Sequence, residues 1–228
     1  PSILLTLSDK DFDYLDANKK EFVKTVLPII INENQNILMI RSFVNELKGK
    51  LETFRTLNNN EIRKLNDIAK KYNIKYQNKH KLDLVDEILS NVDVIPNSIV
   101  LAQAAIESGW GKSRFAKEYN ALFGEYTYDD SEGVIPLERE NGDTHLIKAF
   151  SSYSNSVESY FDNINSHYAY EDFRDIRNIM RKRNNFSNVN LLVNKLSTYA
   201  EDENYIKTIR QVIKTNNFGI FDQKTISY

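Results

Sequence analysis

A nearly apolar run over residues 99–106 contains one polar residue, Gln103, and leads directly into Glu107. A soluble protein tolerates such a run only in a buried helix, and the spacing of Gln103 and Glu107 places both side chains on one helical face. Gly109 predicts that this helix ends beside Glu107. The negative end of the helix dipole and a poorly solvated wall both favour the protonated form of that carboxyl group. A carboxylic acid kept neutral can act as a general acid.

The turn after Glu107 has a composition suited to close contact with a ligand. Trp110, the only tryptophan, lies between Gly109 and Gly111, and glycine lets the backbone and the ring come near a bound molecule. Many helices end in Glu-Ser-Gly without any chemistry, so this short pattern by itself leaves a structural role for Glu107 open.

Longer motifs in the same region resemble a known enzyme family. Ala102-Gln-Ala-Ala-Ile-Glu-Ser-Gly-Trp-Gly-Lys-Ser113 and Asn120-Ala-Leu-Phe-Gly124 resemble the FlgJ-like peptidoglycan N-acetylglucosaminidases of glycoside hydrolase family 73. Phe123-Gly-Glu125, Phe161–His167 and Tyr170–Arg177 are similar to its Bax-like branch. The resemblance extends from about Ile95 to about Asn216. It implies an endo-β-N-acetylglucosaminidase that hydrolyses the GlcNAc-MurNAc β-1,4 bond of peptidoglycan, with Glu107 as the general acid.

The resemblance also implies a second catalytic group, which glycoside hydrolysis usually needs. Family members carry a carboxylate shortly before an Asn-Gly turn, and Asn141-Gly142 places Glu138 at that position. Glu125 is the competing second carboxylate. Tyr199 matches a tyrosine thought to assist catalysis in the family. The residues leave open whether the path is inverting, with Glu138 as base, or assisted by the N-acetyl group of the sugar.

Candidate substrate contacts cluster around the proposed acid. Aromatic faces stack on the C–H faces of sugar rings, and Trp110 and Tyr126 are the strongest candidates of this kind. Most of the other aromatic residues must be core, because the chain has 13 tyrosines and 12 phenylalanines. The full set of predicted substrate contacts is Gln103, Trp110, Asn120, Phe123, Gly124, Glu125 and Tyr126.

Composition limits the class of protein and its partners. The net charge of −2 shows no basic surplus, which argues against a dedicated nucleic-acid binder. The chain has no cysteine, and its histidines, His80, His145 and His167, lack metal-ligand spacing, so we expect neither a metal nor another cofactor. No stretch of about eighteen apolar residues predicts a membrane-spanning helix. A peptidoglycan partner implies an extracytoplasmic location, although no signal peptide or anchor is visible in this sequence.

Periodicity predicts a mainly α (α+β) protein with a lysozyme-like helical domain. Residues 1–93 read as a helical N-terminal extension, with a kink or restart at Pro28 and a helix capped by Asn60. Residues 94–228 form the predicted glucosaminidase domain. It contains a strand at 123–128 and a small β hairpin that pairs 134–139 with 145–150. The predicted later helices span 154–167, 171–182, 189–199 and 203–215.

Two other functions compete with this hypothesis. A lytic transglycosylase shares the fold and a helix-end glutamate, but it manages with one carboxylate and leaves an anhydro-sugar end. A catalytically weak cell-wall-binding module is the non-enzyme alternative, and the intact Glu107 block argues against it.

Overall fold

The computed structural model describes residues 12–135, 146–185 and 188–224. The fold is mainly helical with one small antiparallel sheet, as predicted. The helices are α1 (Ala17–Glu52), α2 (Asn59–Lys71), α3 (Lys81–Asn91), α4 (Asn97–Glu107), α5 (Arg114–Tyr119), α6 (Tyr153–Ser166), α7 (Glu171–Lys182), α8 (Val189–Val193) and α9 (Tyr205–Thr215). The strands are β1 (Tyr126–Thr127), β2 (Gly133–Val134) and β3 (Leu146–Lys148), and 3₁₀ segments cover Tyr168–Tyr170 and Phe218–Lys224. No helix of the described residues is long and apolar enough to span a membrane.

The described residues divide into two compact units that differ from the predicted division at residue 93. The first unit holds 12–32, 96–135, 146–160 and 208–224, and the second holds 33–95, 161–185 and 188–207. The boundary between a 1–93 extension and a 94–228 domain stays a prediction.

Helix α1 runs through Pro28 without a break, so the predicted restart at this residue is wrong. Pro28 itself is exposed, whereas Val26, Leu27 and Ile30 around it are fully buried. Burial of these apolar side chains offsets the hydrogen bond that proline removes from a helix, a loss of about 3 kcal/mol.

The cap of helix α2 is Asn58, not the predicted Asn60. The Asn58 side chain accepts a hydrogen bond from the Glu61 backbone N–H, and the Glu61 carboxylate accepts one from the Asn58 backbone N–H. This reciprocal capping box satisfies two amide groups at the helix start. Asn60 lies inside the helix, and its side chain accepts a hydrogen bond from the Arg63 guanidinium instead.

A buried charge cluster lies in the second unit and involves the Bax-like segment Tyr170–Arg177. Arg177 is fully buried and donates to the backbone carbonyls of Asn91 and Asp93. The Asp93 carboxylate, also buried, pairs with Arg181 and with Arg41 at 3.3 Å. Burial lowers the pKa of Arg177 to about 9. Buried charges of this kind are tolerated because each is paired or hydrogen-bonded. The segment Tyr170–Arg177 therefore has a structural role through Arg177.

Helix α4 is the central apolar element of the first unit. Every side chain from Asn97 to Ala105 is buried, as the apolar run predicts. Helix α4 ends at Glu107 with Ser108 as its C-cap, and the 3₁₀ segment Phe218–Lys224 packs against it.

The sheet has the strand order β1-β3-β2, with both pairs antiparallel. Val134 is opposite Ile147, which confirms the predicted pairing of these two hairpin arms. Strand β1 is shorter than predicted and pairs Tyr126 with Ile147. The hairpin tip, including Glu138 and the Asn141-Gly142 turn, lies outside the described residues.

Predicted helix ends differ by several residues in the last part of the chain. Helix α8 stops at Val193 instead of reaching Tyr199, and single turns follow in which Leu196 N–H donates to Val193 and Tyr199 N–H donates to Leu196. Helix α9 begins at Tyr205 rather than at residue 203.

Candidate active site

The end of helix α4 is a tightly bonded turn that fixes the direction in which Glu107 leaves the helix. Trp110 N–H donates to the Ala105 carbonyl at 2.8 Å, and Gly111 N–H donates to the Ser108 hydroxyl at 2.8 Å. Gly109, Trp110 and Gly111 all have positive φ, at 57°, 59° and 73°. Two of these three left-handed positions are glycine, which tolerates them without strain. Trp110 adopts an uncommon conformation for a bulky residue.

Gly124 lies directly against the proposed acid. A Cβ atom built on Gly124 would be 3.7 Å from the Glu107 Oε2 atom. Gly124 has φ of +61°, a left-handed conformation that disfavours side chains. Because Gly124 has no side chain, its backbone lies next to the carboxylate of Glu107 with no carbon atom in between. Glu107 is itself partly exposed.

Glu125 follows Gly124 and is fixed on both its side chain and its backbone. The Ser159 hydroxyl donates to Glu125 Oε2 at 2.9 Å, and the Glu125 carbonyl accepts from Lys148 N–H of β3 at 2.7 Å. Helix α6 and strand β3 thus hold the loop that faces Glu107. The structure brings together three predicted site residues here: Glu107, Gly124 and Glu125.

Two predicted substrate contacts, Gln103 and Phe123, lie in the core instead. Gln103 is fully buried, and its side-chain oxygen accepts a hydrogen bond from the Tyr160 hydroxyl at 2.6 Å. Phe123 is also buried and stacks on the Tyr160 ring at a centroid distance of 4.2 Å. The Gln103 side chain therefore joins helix α4 to helix α6, whereas the Phe123 side chain packs the segment after α5 against helix α6. Burial leaves neither side chain a surface for a sugar.

Asn120 is a backbone-shaping residue in the structure. It is the left-handed C-cap of α5, with φ of 53°, and its side-chain amide donates to the Phe150 carbonyl at 2.9 Å. Asparagine tolerates this conformation better than most residues, so the Asn120 position is explained by the turn that leads to Gly124.

Trp110 packs between aromatic rings of its own unit. Its ring meets Phe22 edge-on at 5.7 Å and lies 6.0 Å from the Phe218 ring. The Lys19 ammonium lies 5.1 Å from the Trp110 ring centroid. The indole is only partly exposed, and these contacts give it a packing role beside the predicted contact with a sugar.

Tyr126, at the start of strand β1, and Tyr128, just after that strand, have aromatic side chains exposed to solvent. Their exposed fractions are 65% and 78%. Exposed rings on this side of the unit have the form that stacking on a pyranose requires. The role of Tyr126 as a sugar platform stays a prediction from the sequence.

Tyr199 lies in the second unit. Its ring is parallel to that of Tyr205, with a centroid distance of 5.8 Å, and it lies 6.2 Å from Tyr170. Its assignment to catalysis stays a prediction from the family resemblance, as does that of Glu138.

Sequence reasoning missed the two residues of α6 that orient the site. The Ser159 hydroxyl donates a hydrogen bond to Glu125, and the hydroxyl of its neighbour Tyr160 donates one to Gln103. A serine and a tyrosine on a predicted helix carry no local signal for such contacts, because their partners are 34 and 57 positions away in the chain. The described residues contain no group of three or more His, Cys, Asp or Glu side chains that could hold a metal ion.

Comparison with known proteins identifies the family. Residues 82–218 match the glucosaminidase family, described as mannosyl-glycoprotein endo-beta-N-acetylglucosaminidase. The chain belongs to the glucosaminidase family. Membership confirms the resemblance inferred from the motifs and the class of enzyme, a glycoside hydrolase.

Individual relatives of this chain include two proteins of Escherichia coli. Protein Bax of strain K12 is 33% identical over 184 residues, which cover 80% of this chain and 63% of Bax. The peptidoglycan hydrolase FlgJ of strain K12 is 35% identical over 92 residues, which cover 36% of this chain and 29% of FlgJ. The chain thus spans less than two thirds of the length of these curated relatives.

A solved structure supports the fold of this chain. The catalytic domain of the autolysin Auto from Listeria monocytogenes matches with a TM-score of 0.50 and 16% sequence identity, covering 97% of this chain and 99% of that one. At this identity the likeness shows the fold alone, and it agrees with the mainly helical architecture predicted from the sequence.

Proposed function

We propose that this protein is an endo-β-N-acetylglucosaminidase that hydrolyses the GlcNAc-MurNAc β-1,4 bond of peptidoglycan glycan strands outside the cytoplasm. The observation that carries the proposal is the position of Glu107, at the end of the buried helix α4 with Gly124 against its Oε2 atom. The glucosaminidase family and the peptidoglycan hydrolase FlgJ among the relatives supply the substrate class.

In this proposal Glu107 protonates the oxygen of the leaving sugar. Proton transfer from a positioned carboxylic acid typically accelerates a reaction by about two to four orders of magnitude. The Gly124 loop leaves room beside Glu107 for the glycosidic oxygen, and exposed Tyr126 offers a ring for a neighbouring sugar.

The second catalytic group acts at the sugar carbon where positive charge develops as the bond breaks. Glu138 has this role by family resemblance, either as the base for water or as a group that orients the N-acetyl carbonyl. Glu125 is the alternative, because the hydrogen bond from the Ser159 hydroxyl supports a fixed carboxylate directly after Gly124, the residue that lies against Glu107. Tyr199 completes the proposed catalytic set.

Muropeptide mass spectrometry on purified sacculi tests the proposal. New reducing ends on N-acetylglucosamine are expected from the wild type. Glu107→Gln should abolish their release while its far-UV circular dichroism and melting temperature stay near those of the wild type. Glu118→Gln is the matched control, because it makes the same chemical change at an exposed position of α5 and should keep the full rate.

The products also separate the alternatives. Anhydro-sugar ends would assign a lytic transglycosylase, and binding to sacculi without any new ends would assign a wall-binding module. Near-normal release of reducing ends by Glu107→Gln would remove Glu107 from the role of acid.

A further inference from the structure

The C-terminal 3₁₀ segment Phe218–Lys224, here called the C-terminal brace, lies along helix α4. The family match ends at residue 218, so this segment lies almost wholly beyond it. Helix α4 has 11 residues and the brace has 7. At about 1.5 Å and 2.0 Å of rise per residue, the two elements have nearly the same length, roughly 16 and 14 Å.

The brace supplies the cap that the start of α4 lacks. The N-cap position is Pro96, which makes no side-chain hydrogen bond to the helix. Asp222 of the brace accepts from Ser98 N–H at 2.7 Å and from the Ser98 hydroxyl at 2.6 Å. The Asn97 side-chain amide also donates to the Phe221 carbonyl at 3.0 Å. The first amides of a helix need such partners.

The other end of the brace reaches the turn that follows the proposed acid. The Phe218 ring lies 6.0 Å from the Trp110 ring, and Phe218 is fully buried. Phe221, also fully buried, continues this aromatic contact to Phe12 at 5.9 Å. One short segment therefore contacts the first turn of α4 through Asp222 and the turn after Glu107 through Phe218.

We propose that the C-terminal brace positions Glu107 for catalysis, with Asp222 and Phe218 as positioning residues at the two ends of α4. The inference rests on the proposed role of Glu107 as the acid. A helix held at both ends resists sliding and tilting, and the carboxyl group at its end keeps its place. A displacement of about 1 Å at a reacting group can cost on the order of a hundredfold in rate.

The chemistry at Asp222 shows which variant should preserve the brace. An asparagine at this position can accept from Ser98 N–H through its oxygen and donate to the Ser98 hydroxyl through its nitrogen. Burial raises the pKa of Asp222 to about 6, while the hydrogen bonds from Ser98 act in the opposite direction. A neutral side chain of the same shape is therefore well suited to this site, whereas alanine removes both bonds.

The test compares Asp222→Ala and Asp222→Asn in the full chain. Asn58→Ala is the matched control, because it removes the N-cap of a helix of similar length, α2, that carries no site residue. For each variant we would measure the rate of sacculus cleavage as a function of sacculus concentration, the melting temperature, and the hydrogen exchange of the α4 amides. All rates are taken well below the lowest melting temperature.

Asp222→Ala is expected to reduce the maximal rate by roughly ten- to hundredfold, with a smaller change in the half-saturating sacculus concentration. It should also speed amide exchange along α4. Asp222→Asn should restore most of the rate, and Asn58→Ala should lower the melting temperature without loss of maximal rate in the folded protein.

Three outcomes would overturn the inference: unchanged α4 exchange in Asp222→Ala, an unchanged maximal rate in that variant, or an equal loss of maximal rate in Asn58→Ala. A wild type that releases no sugar ends would instead contradict the proposed function. Exchange of the α4 amides is measured without substrate, so the two failures are distinguishable.

Discussion

Replacing Gly124 by alanine tests whether the loop beside Glu107 must stay free of side chains. Gly124 has φ of +61°, and the added methyl carbon would lie 3.7 Å from Glu107 Oε2. Gly109, two residues after the acid in the chain, has φ of +57°, and a methyl group there would meet nothing within 4 Å. The two substitutions share the same backbone conformation and differ in what the new methyl group touches.

The cost in stability follows from the backbone and should be nearly equal for the two variants. An alanine in the left-handed region costs about 1–2 kcal/mol. Replacing glycine also reduces the entropy of the unfolded chain, which returns about 0.4–1 kcal/mol. The net loss of about 1 kcal/mol lowers the melting temperature of a chain of this size by about 2–4 °C.

The cost in activity should fall on Gly124→Ala alone. A general acid must lie about 2.6–3.2 Å from the oxygen that it protonates. A methyl group in contact with Glu107 Oε2 occupies space that the leaving sugar needs on that side. We expect Gly124→Ala to lose roughly ten- to hundredfold in rate and Gly109→Ala to stay within about twofold of the wild type.

Release of reducing ends from purified sacculi, per folded molecule, measures the difference. Thermal melts of the same preparations establish the folded fraction and the matched loss of stability. If Gly124→Ala cleaves as fast as Gly109→Ala, then the reactive oxygen of Glu107 does not face the Gly124 loop, and the site geometry proposed above is wrong.

Four other substitutions provide further tests. We expect Glu138→Gln to lose more sacculus-cleaving activity than Glu125→Gln, and the reverse order of rates would exchange their roles. Trp110→Ala should weaken binding of glycan oligomers in titrations, and its contacts with Phe22 and Phe218 should add a stability loss of up to about 3 kcal/mol in thermal melts; unchanged glycan affinity would limit Trp110 to packing. Burial raises the folded-state pKa of Asp222 from 3.8 to about 6, so its stabilising contribution is full below about pH 4 and is lost as the pH rises through 6. Asp222→Asn should therefore gain up to about 3 kcal/mol relative to the wild type between pH 4 and 7 in denaturant titrations, and a difference that does not change with pH would contradict the raised pKa.

Local sequence determined the element that carries the proposed acid. The apolar run 99–106 and Gly109 suffice to predict a buried helix that ends at Glu107, because burial and helix termination depend on neighbouring residues. The pairing of the strands around residues 134 and 147 was likewise predictable from the turn signal between them. The family motif, spread over many residues in order, identified the class of enzyme.

Local sequence was less reliable where two short-range signals compete. Pro28 predicted a kink or restart of the helix, but helix α1 continues through it because its neighbours are buried. Asn60 was predicted as a cap, although Asn58 has Glu61 three residues later. In both places the energies differ by only a few kcal/mol, so packing or one reciprocal hydrogen bond decides the outcome.

Only the tertiary structure decided which residues of the motif face the site and which face the core. Gln103 and Phe123 belong to the same motif as Glu107, yet both pack on Tyr160, a residue that no local pattern connects to them. The bond between Ser98 and Asp222 joins residues 124 positions apart. Periodicity shows that a side chain is buried or exposed relative to its own helix, but the partner that meets it depends on how distant segments pack, and that information is not local.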